Sequence, residues 1–139
     1  MIIDKQCELS SAQRVCNSGA TEVSDNVYDT SIVSPNLGTG EPITFLFTVI
    51  TVFAGTATTL TVTIQECDTV GGSYADVVGA TSGAIAKATL VAGYQFMITL
   101  PGITTERFLN VMYTGDNTFE TTGTITCQVI RDFQSNRSH

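Results

Sequence analysis

Few residues in this chain have the types and spacing that catalysis requires. Two pairs of carboxylates, Glu66 with Asp68 and Glu106 with Glu120, have the residue types of the acid and base of a glycosidase. Glu106 also has a charged neighbour, Arg107, at the start of the apolar run "FLNVMYTG". The chain contains no tryptophan, so that a sugar-stacking surface would depend on its tyrosines. We assign no catalytic residue and expect that the protein is not an enzyme.

The residues that nucleophilic catalysis and metal binding usually need are also missing from the sequence. Ser-His-Asp and Cys-His mechanisms need an imidazole or an equivalent base, and a structural zinc needs four close ligands. The only histidine is the last residue, His139, and the four cysteines form no C-x-x-C pair. We therefore expect no metal and no cofactor, and we interpret the cysteines as small hydrophobic residues. These are Cys7, Cys16, Cys67 and Cys127.

Charge and length limit the possible partners. The chain has 139 residues and a formal net charge of −7, which repels nucleic acid and anionic membranes, so we expect neither as a partner. Residues 42–65 are uncharged and long enough to cross a bilayer, but "AGTATT" at their centre favours two strands joined by a turn. Asp4, Lys5 and Glu8 interrupt any apolar signal sequence, and we expect synthesis in a cytosol.

The elements that position these residues are predicted to be strands, because apolar and polar residues alternate in segment after segment. Further strands are predicted over 26–33, over 73–78 and in part of 84–91, a stretch that also has some helical character. Short strands separated by glycine-rich turns indicate one antiparallel β-sandwich or barrel domain over 1–139. The clearest inward-facing sets are Leu60, Val62 and Ile64; Tyr94, Phe96, Ile98 and Leu100; and Ile125, Cys127 and Val129.

The strand "PITFLFTVITVF" differs from the others because both of its faces are apolar. Phe45, Phe47, Val49 and Phe53 form one face, while the opposite face carries apolar residues between its threonines. Two interpretations stay open: a central strand whose outer face is partly covered, or a face that meets another subunit or a partner. The residues in question are Leu46, Ile50 and Val52.

The pair Glu106 and Arg107 is explained by its place at the beginning of a strand. The alternation in "RFLNVMYTG" puts Leu109, Val111 and Tyr113 on one face, so that the two charges lie at the rim of a sheet. An exposed ion pair at such a position contributes little to stability.

Taken in order, the segments of this chain resemble one family. They are "MIIDKQCELSSAQRV", "SDNVYD", "GTGEPITFLFTVITVFAG", "TTLTVTIQECD", "LVAGYQFMITLP", "TERFLNVMYTG" and "TGTITCQVIRDF". The chain is similar, over most of residues 1–132, to the small jelly-roll cement (decoration) proteins on the capsids of tailed bacteriophages of the short-tailed type. The four cysteines and the loop "GGSYADVV" depart from what we expect of that family.

The resemblance implies an all-β fold and a structural function. The expected architecture is a jelly-roll sandwich of about eight strands with little or no helix, an extended N-terminal arm over 1–10 and a flexible tail over 134–139. The expected partners are the phage major capsid protein and further copies of the chain, as a homodimer or a homotrimer, on the outer surface of the virion. Candidate contact residues are Ile2, Ile3, Leu46, Ile50, Val52 and Phe133. The alternative is a glycan- or receptor-binding β-sandwich module of a virion.

Overall fold

The computed structural model describes residues 7–29, 44–100 and 106–130. Nearly all regular structure in these segments is β-strand, and a 3-10 turn lies at Lys87–Thr89. The strands are β1 (Glu8–Arg14), β2 (Thr21–Val23), β3 (Tyr28–Asp29), β4 (Thr44–Ala54), β5 (Thr59–Cys67), β6 (Ala75–Ala86), β7 (Gln95–Thr99), β8 (Phe108–Gly115) and β9 (Thr122–Ile130).

The strands form two antiparallel sheets that pack together as a sandwich. The first sheet has the order β1-β9-β4-β7, and the second has the order β2-β8-β5-β6, with β3 also paired to β8. Because β2 and β3 both pair with β8, they are two pieces of one edge strand, and counting them once gives the eight strands of a jelly roll. The predicted all-β, antiparallel sandwich is confirmed.

The core lies between the sheets and is built from the inward side of each strand. Leu60, Val62 and Ile64 of β5 are completely buried, as the alternation predicts. Tyr94 and Phe96 are only half-buried, because they lie toward the edge of the first sheet, where Phe96 stacks on Phe47 with ring centroids 4.8 Å apart. The other predicted core residues are all buried: Ile98, Leu100, Leu109, Val111, Tyr113, Ile125, Cys127 and Val129.

A buried polar network ties the edges of the two sheets together. The Ser10 hydroxyl of β1 donates to Gln13 Oε1 at 2.7 Å, and the hydroxyl of Tyr113 on β8 lies 2.9 Å from Ser10 Oγ. Since the Ser10 proton is used, Tyr113 is the donor in that contact. Gln13 Nε2 donates to the Val23 carbonyl of β2 at 2.7 Å. These bonds satisfy the buried Ser10 and Tyr113 hydroxyls and the Gln13 amide while joining β1 to the second sheet.

Two predicted boundaries differ from the structure. The two strands predicted over 73–78 and 84–91 form one strand, β6, whose register with β5 shifts twice. Gly79 and Gly83 lie inside it with φ of 81° and 69°, so glycines that resemble turn residues bend a continuous strand. The N-terminal arm predicted over 1–10 overlaps β1, which begins at Glu8. Residues 1–6, the second half of the strand predicted over 26–33 and the tail 134–139 lie outside the described residues.

Candidate functional site

Glu106 and Glu120 lie too far apart to form the carboxylate pair of a glycosidase. Glu106 precedes β8 and Glu120 follows it, so that the two lie beyond opposite ends of a strand about 25 Å long. The carboxyls of a glycosidase lie within about 10 Å of each other. Glu66 is closer to Glu106, but its Oε2 accepts the Glu106 backbone N–H at 3.0 Å, which is a loop contact. Asp68 lies in the exposed turn after β5.

Arg107 forms an ion pair at the rim of the second sheet. Its partner is Asp29 and not its sequence neighbour Glu106. Its Nε and Nη2 atoms donate to the two carboxylate oxygens of Asp29 at 2.8 and 3.0 Å. The guanidinium also lies 4.9 Å from the ring centroid of Phe108. The bidentate ion pair joins β3 to the first residues of β8 at the surface. We therefore interpret it as a structural contact between two strands and not as a reaction centre.

The cysteine thiols are placed as packing groups. Cys16, Cys67 and Cys127 are buried, and burial raises the pKa of the Cys16 thiol to about 11 and that of Cys127 well above its ordinary value. A protonated, enclosed thiol is a poor nucleophile and a poor metal ligand. Within the described segments no group of three or more His, Cys, Asp or Glu side chains is placed to hold a metal ion.

Asp116 and Glu120 join two loops that run between the sheets. No pattern in the sequence predicted that these two carboxylates share this role. Asp116 accepts hydrogen bonds from the backbone N–H and the hydroxyl of Thr58 and from the Thr59 N–H, and these donors lower its pKa to about 2. Glu120 accepts from the N–H of Thr56 at 3.0 Å and from its hydroxyl at 2.7 Å, and its pKa is likewise about 2. Both carboxylates are stabilised as anions, so neither is suited to act as a general acid.

The close approach of these loops requires glycine at position 55. Gly55 has φ of 152°, and a Cβ atom there would lie 2.6 Å from Glu120 Oε2 and 2.7 Å from the Phe119 Cα. The Gly55 carbonyl oxygen accepts a hydrogen bond from Lys87 Nζ at 2.8 Å. The ends of the two sheets are therefore held together by a dense set of hydrogen bonds.

The most unusual surface is the outer face of β9, β4 and β7. These three adjacent strands of the first sheet contain no charged residue, although the chain as a whole carries a formal charge of −7. We call their outward-facing side chains the neutral face. It consists of Thr44, Leu46, Thr48, Ile50 and Val52; Gln95, Met97 and Thr99; and Thr124, Thr126, Gln128 and Ile130.

Strand pairing brings the apolar and polar members of this face into rows. Leu46 pairs with Met97 on one side and with Gln128 on the other. In the next row Gln95 Nε2 donates to the Thr48 hydroxyl at 3.2 Å. The side chains of paired residues project on the same side of a sheet, so these rows form one continuous surface.

A β-bulge exposes two further apolar residues at the end of the face. Val49 pairs with Ile125 and Thr51 with Thr124, so that β4 has one extra residue, Ile50, at this point. Ile50 and Val52 are 47% and 45% exposed, and Met97 is 46% exposed. Apolar side chains this exposed, grouped on strands that carry no charge, are typical of a protein-contact site.

The structure therefore brings three of the predicted contact residues together and adds others. Leu46, Ile50 and Val52 lie on the neutral face, while Ile2, Ile3 and Phe133 lie outside the described residues. Sequence reasoning missed Met97, although its place between the inward-facing Phe96 and Ile98 in "GYQFMITLP" already indicates that it points outward.

No helix in the described segments is long and apolar enough to cross a membrane.

Comparison with known proteins places the chain in a family. No curated protein matches the sequence. The family profile Bbp16 matches residues 9–129, which run from β1 into β9 and cover well over half of the chain. The chain therefore belongs to the Bbp16 family, a phage-related family.

Proposed function

We propose that this protein is a structural component of a phage virion that binds the outer surface of the capsid and ties neighbouring major capsid subunits together. Membership in a phage-related family is compatible with a structural virion protein. The proposed role is mechanical: the bound protein holds the shell together against the pressure of packaged DNA.

The neutral face is the observation that carries this proposal. It offers exposed Ile50, Val52 and Met97 without a neighbouring charge on their strands, which is the depletion of charge seen at the centre of protein interfaces. Of the candidate carboxylates, Glu66 and Glu120 accept hydrogen bonds from neighbouring loops, and the thiols of Cys16, Cys67 and Cys127 are buried. A surface suited to contact, with no assembled reaction centre in the described segments, supports adhesion.

Adhesion by many copies does not require a tight single contact. A stable protein interface buries on the order of 1,600 Å² in total. A protein that touches both the shell and a further copy of itself gains from effective concentration, since each bound contact holds the next one in reach. We assign the shell contact to the neutral face, and Ile2, Ile3 and Phe133, which lie outside the described residues, are further candidates from the sequence.

The glycan-binding alternative has less support. It requires tyrosines that are open to a sugar, and all four tyrosines lie in the described segments. Tyr113 is completely buried, and Tyr28, Tyr74 and Tyr94 are half-buried. The hydroxyl of Tyr74 is in addition engaged with the Val70 carbonyl at 3.0 Å.

The test is to mix purified protein with phage heads that lack it. We expect stoichiometric co-sedimentation, an ordered set of added densities by electron cryomicroscopy, and a higher temperature of head disruption. Decorated and bare heads should be heated in parallel, with and without a chelator. An oligosaccharide array with the same preparation gives the alternative its own readout.

A folded preparation that leaves the heads bare would overturn this proposal. Folding is checked beforehand by a cooperative thermal transition in circular dichroism. Saturable binding to a defined oligosaccharide, together with bare heads, would instead favour the glycan-binding module.

A further inference from the structure

We propose that the neutral face docks on an uncharged patch of the major capsid subunit, so that attachment to the shell is nearly independent of ionic strength. This inference rests on the proposed function and deepens it, because it states the chemistry of the surface that the capsid must offer. It follows from the charge, the hydrogen-bonding groups and the size of the neutral face.

The charge of the neutral face limits the charge of the surface that can cover it. The strands β4, β7 and β9 carry no charged side chain, and the charges of the first sheet's strands are Glu8 and Arg14 on the edge strand β1. A charged side chain of the capsid subunit placed over Ile50 or Met97 would lose its water without gaining an opposite charge, which costs free energy. The patch that fits is therefore uncharged at its centre.

The charges elsewhere on the chain act only weakly on this face. Asp29 and Asp76 lie on the outer side of the second sheet, and the two sheets of a sandwich pack about 10 Å apart. Beyond the Val52 end of the face, Glu120 has a cation beside it, because Arg14 Nη2 donates to the Glu120 carbonyl at 3.3 Å. At an ionic strength of about 0.15 M the Debye length is about 8 Å, so added salt has little left to screen.

The polar side chains of the neutral face are also uncharged. Its threonines and glutamines carry groups that donate hydrogen bonds and groups that accept them. Two pairs already lie within bonding distance of each other on the face: the hydroxyls of Thr44 and Thr99 at 3.2 Å, and Gln95 Nε2 with the Thr48 hydroxyl at 3.2 Å. The remaining bonds can be made with hydroxyls, amides or backbone groups of the capsid subunit, and none of them requires an ion.

The size of the face suits a contact of moderate strength that many copies reinforce. Three strands about 4.8 Å apart and up to about 30 Å long give a projected area of roughly 400 Å². The accessible area of such a surface is larger than its projection, which puts it near the lower end of the usual 800 Å² or so per partner. Without ion pairs, the contact depends on apolar burial, which the exposed Ile50, Val52 and Met97 supply.

The first test measures attachment of the wild-type chain to bare phage heads at about 0.1 to 0.6 M NaCl. Co-sedimentation at several protein concentrations gives the half-saturation concentration at each salt concentration, and electron microscopy checks that the heads stay intact. We expect the half-saturation concentration to rise less than about threefold over this range, because no ion pair has to be screened. A larger rise on intact heads would show that ion pairs form the contact and would overturn this inference.

The second test asks whether the capsid patch carries a charge of either sign. Met97→Lys and Met97→Glu should raise the half-saturation concentration by similar factors of at least about tenfold, because either charge loses its water against an uncharged surface. Met97→Gln adds no charge and should cost less than either. The matched controls are Val78→Lys and Val78→Glu, at a side chain that is 84% exposed on β6 of the other sheet, and they should leave attachment unchanged. Circular dichroism checks that each variant is folded.

The outcomes separate this inference from the proposed function. If Met97→Lys attached normally while Met97→Glu did not, or the reverse, the capsid patch would be charged. If both attached normally, the contact would lie away from the neutral face. Either result would overturn this inference and retain the cement function. Heads left bare by the folded wild-type chain at every salt concentration would overturn the proposed function itself, and this inference with it.

Discussion

The strands of the two sheets differ in charge, although both sheets pack apolar residues against the core. In the second sheet, β2, β3, β5 and β6 carry Glu22, Asp29, Glu66 and Asp76. Glu22 and Glu66 pair with the core residues Tyr113 and Leu109, so Asp29 and Asp76 are the carboxylates on the outer side. In the first sheet, β4, β7 and β9 carry no charge, and the charges of its strands are Glu8 and Arg14 on the edge strand β1. Both sheets are equally apolar on the side that faces the core.

This difference shows which features belong to folding and which to contact. The sandwich requires alternation, with apolar residues inward on every strand, and it leaves the outward positions open to any polar residue. Carboxylates at those positions keep a surface hydrated and oppose its association with other proteins. Their complete absence from three neighbouring strands is not needed for the sandwich, so we interpret it as a property of the surface that binds.

The largest expected effect lies in the core that the sheets share. Val111 and Leu109 of β8 are completely buried, so Val111→Asp or Leu109→Asp would place a carboxylate in an apolar interior. We expect a loss of about 4 kcal/mol or more in the free energy of unfolding, which is enough to unfold the domain. Thr114→Asp, at an exposed position of the same strand, is the control and should change little. Circular dichroism with urea denaturation measures both, and a stable, cooperatively folded Val111→Asp variant would contradict the placement of β8.

A smaller effect is expected where polar groups connect the sheets at one edge. Tyr113→Phe removes the hydroxyl that donates to Ser10 Oγ, while the Ser10 bond to Gln13 remains. We expect a loss of about 1 kcal/mol in the free energy of unfolding, because one buried hydrogen bond is lost without creating a cavity. The control is Tyr74→Phe, which removes a hydroxyl from a half-buried contact with a carbonyl at the surface. Equal losses for the two variants would show that the network between β1 and the second sheet contributes no more to the free energy of unfolding than a surface hydrogen bond does.

At the other connection between the sheets we expect sensitivity to acid. The pKa values of Asp116 and Glu120 are lowered in the folded chain to about 2. A depressed carboxyl pKa stabilises the fold above the unfolded pKa of about 4, and this contribution is lost as the pH falls from about 4 through about 2. The double variant Asp116→Asn, Glu120→Gln should therefore show a flatter decline of Tm across that interval than the wild type.

Thermal unfolding at several pH values between about 5 and 2 measures this difference. Asp76→Asn serves as the control, because Asp76 lies on β6, away from the loops between the sheets. The same steep decline in the double variant and the wild type would show that these loops do not limit stability in acid.

The sequence predicted the strands better than the surface they form. Alternation in "TLTVTIQEC" is a local signal, and it identifies Leu60, Val62 and Ile64 as core without knowledge of any neighbour. The neutral face depends on strand order, and in this topology β4 lies between β9 and β7, neither of which is next to it in sequence. The pairing of Leu46 with Met97 is therefore not readable from spacing. The contact of Glu120 with Thr56 likewise joins residues 64 positions apart.

The smallest effect is expected at the charge pair that is most visible in the sequence. Glu106→Gln with Arg107→Gln should leave the fold and the attachment to phage heads largely intact, because the bond between Arg107 and Asp29 joins two side chains that are 37% and 41% exposed. Both charges lie at the rim of the acidic second sheet, so their removal does not alter the neutral face. The measurements are the urea midpoint and co-sedimentation with heads, with Met97→Lys run alongside. If the double variant lost attachment while Met97→Lys kept it, the contact surface would have to be moved from the first sheet to the second.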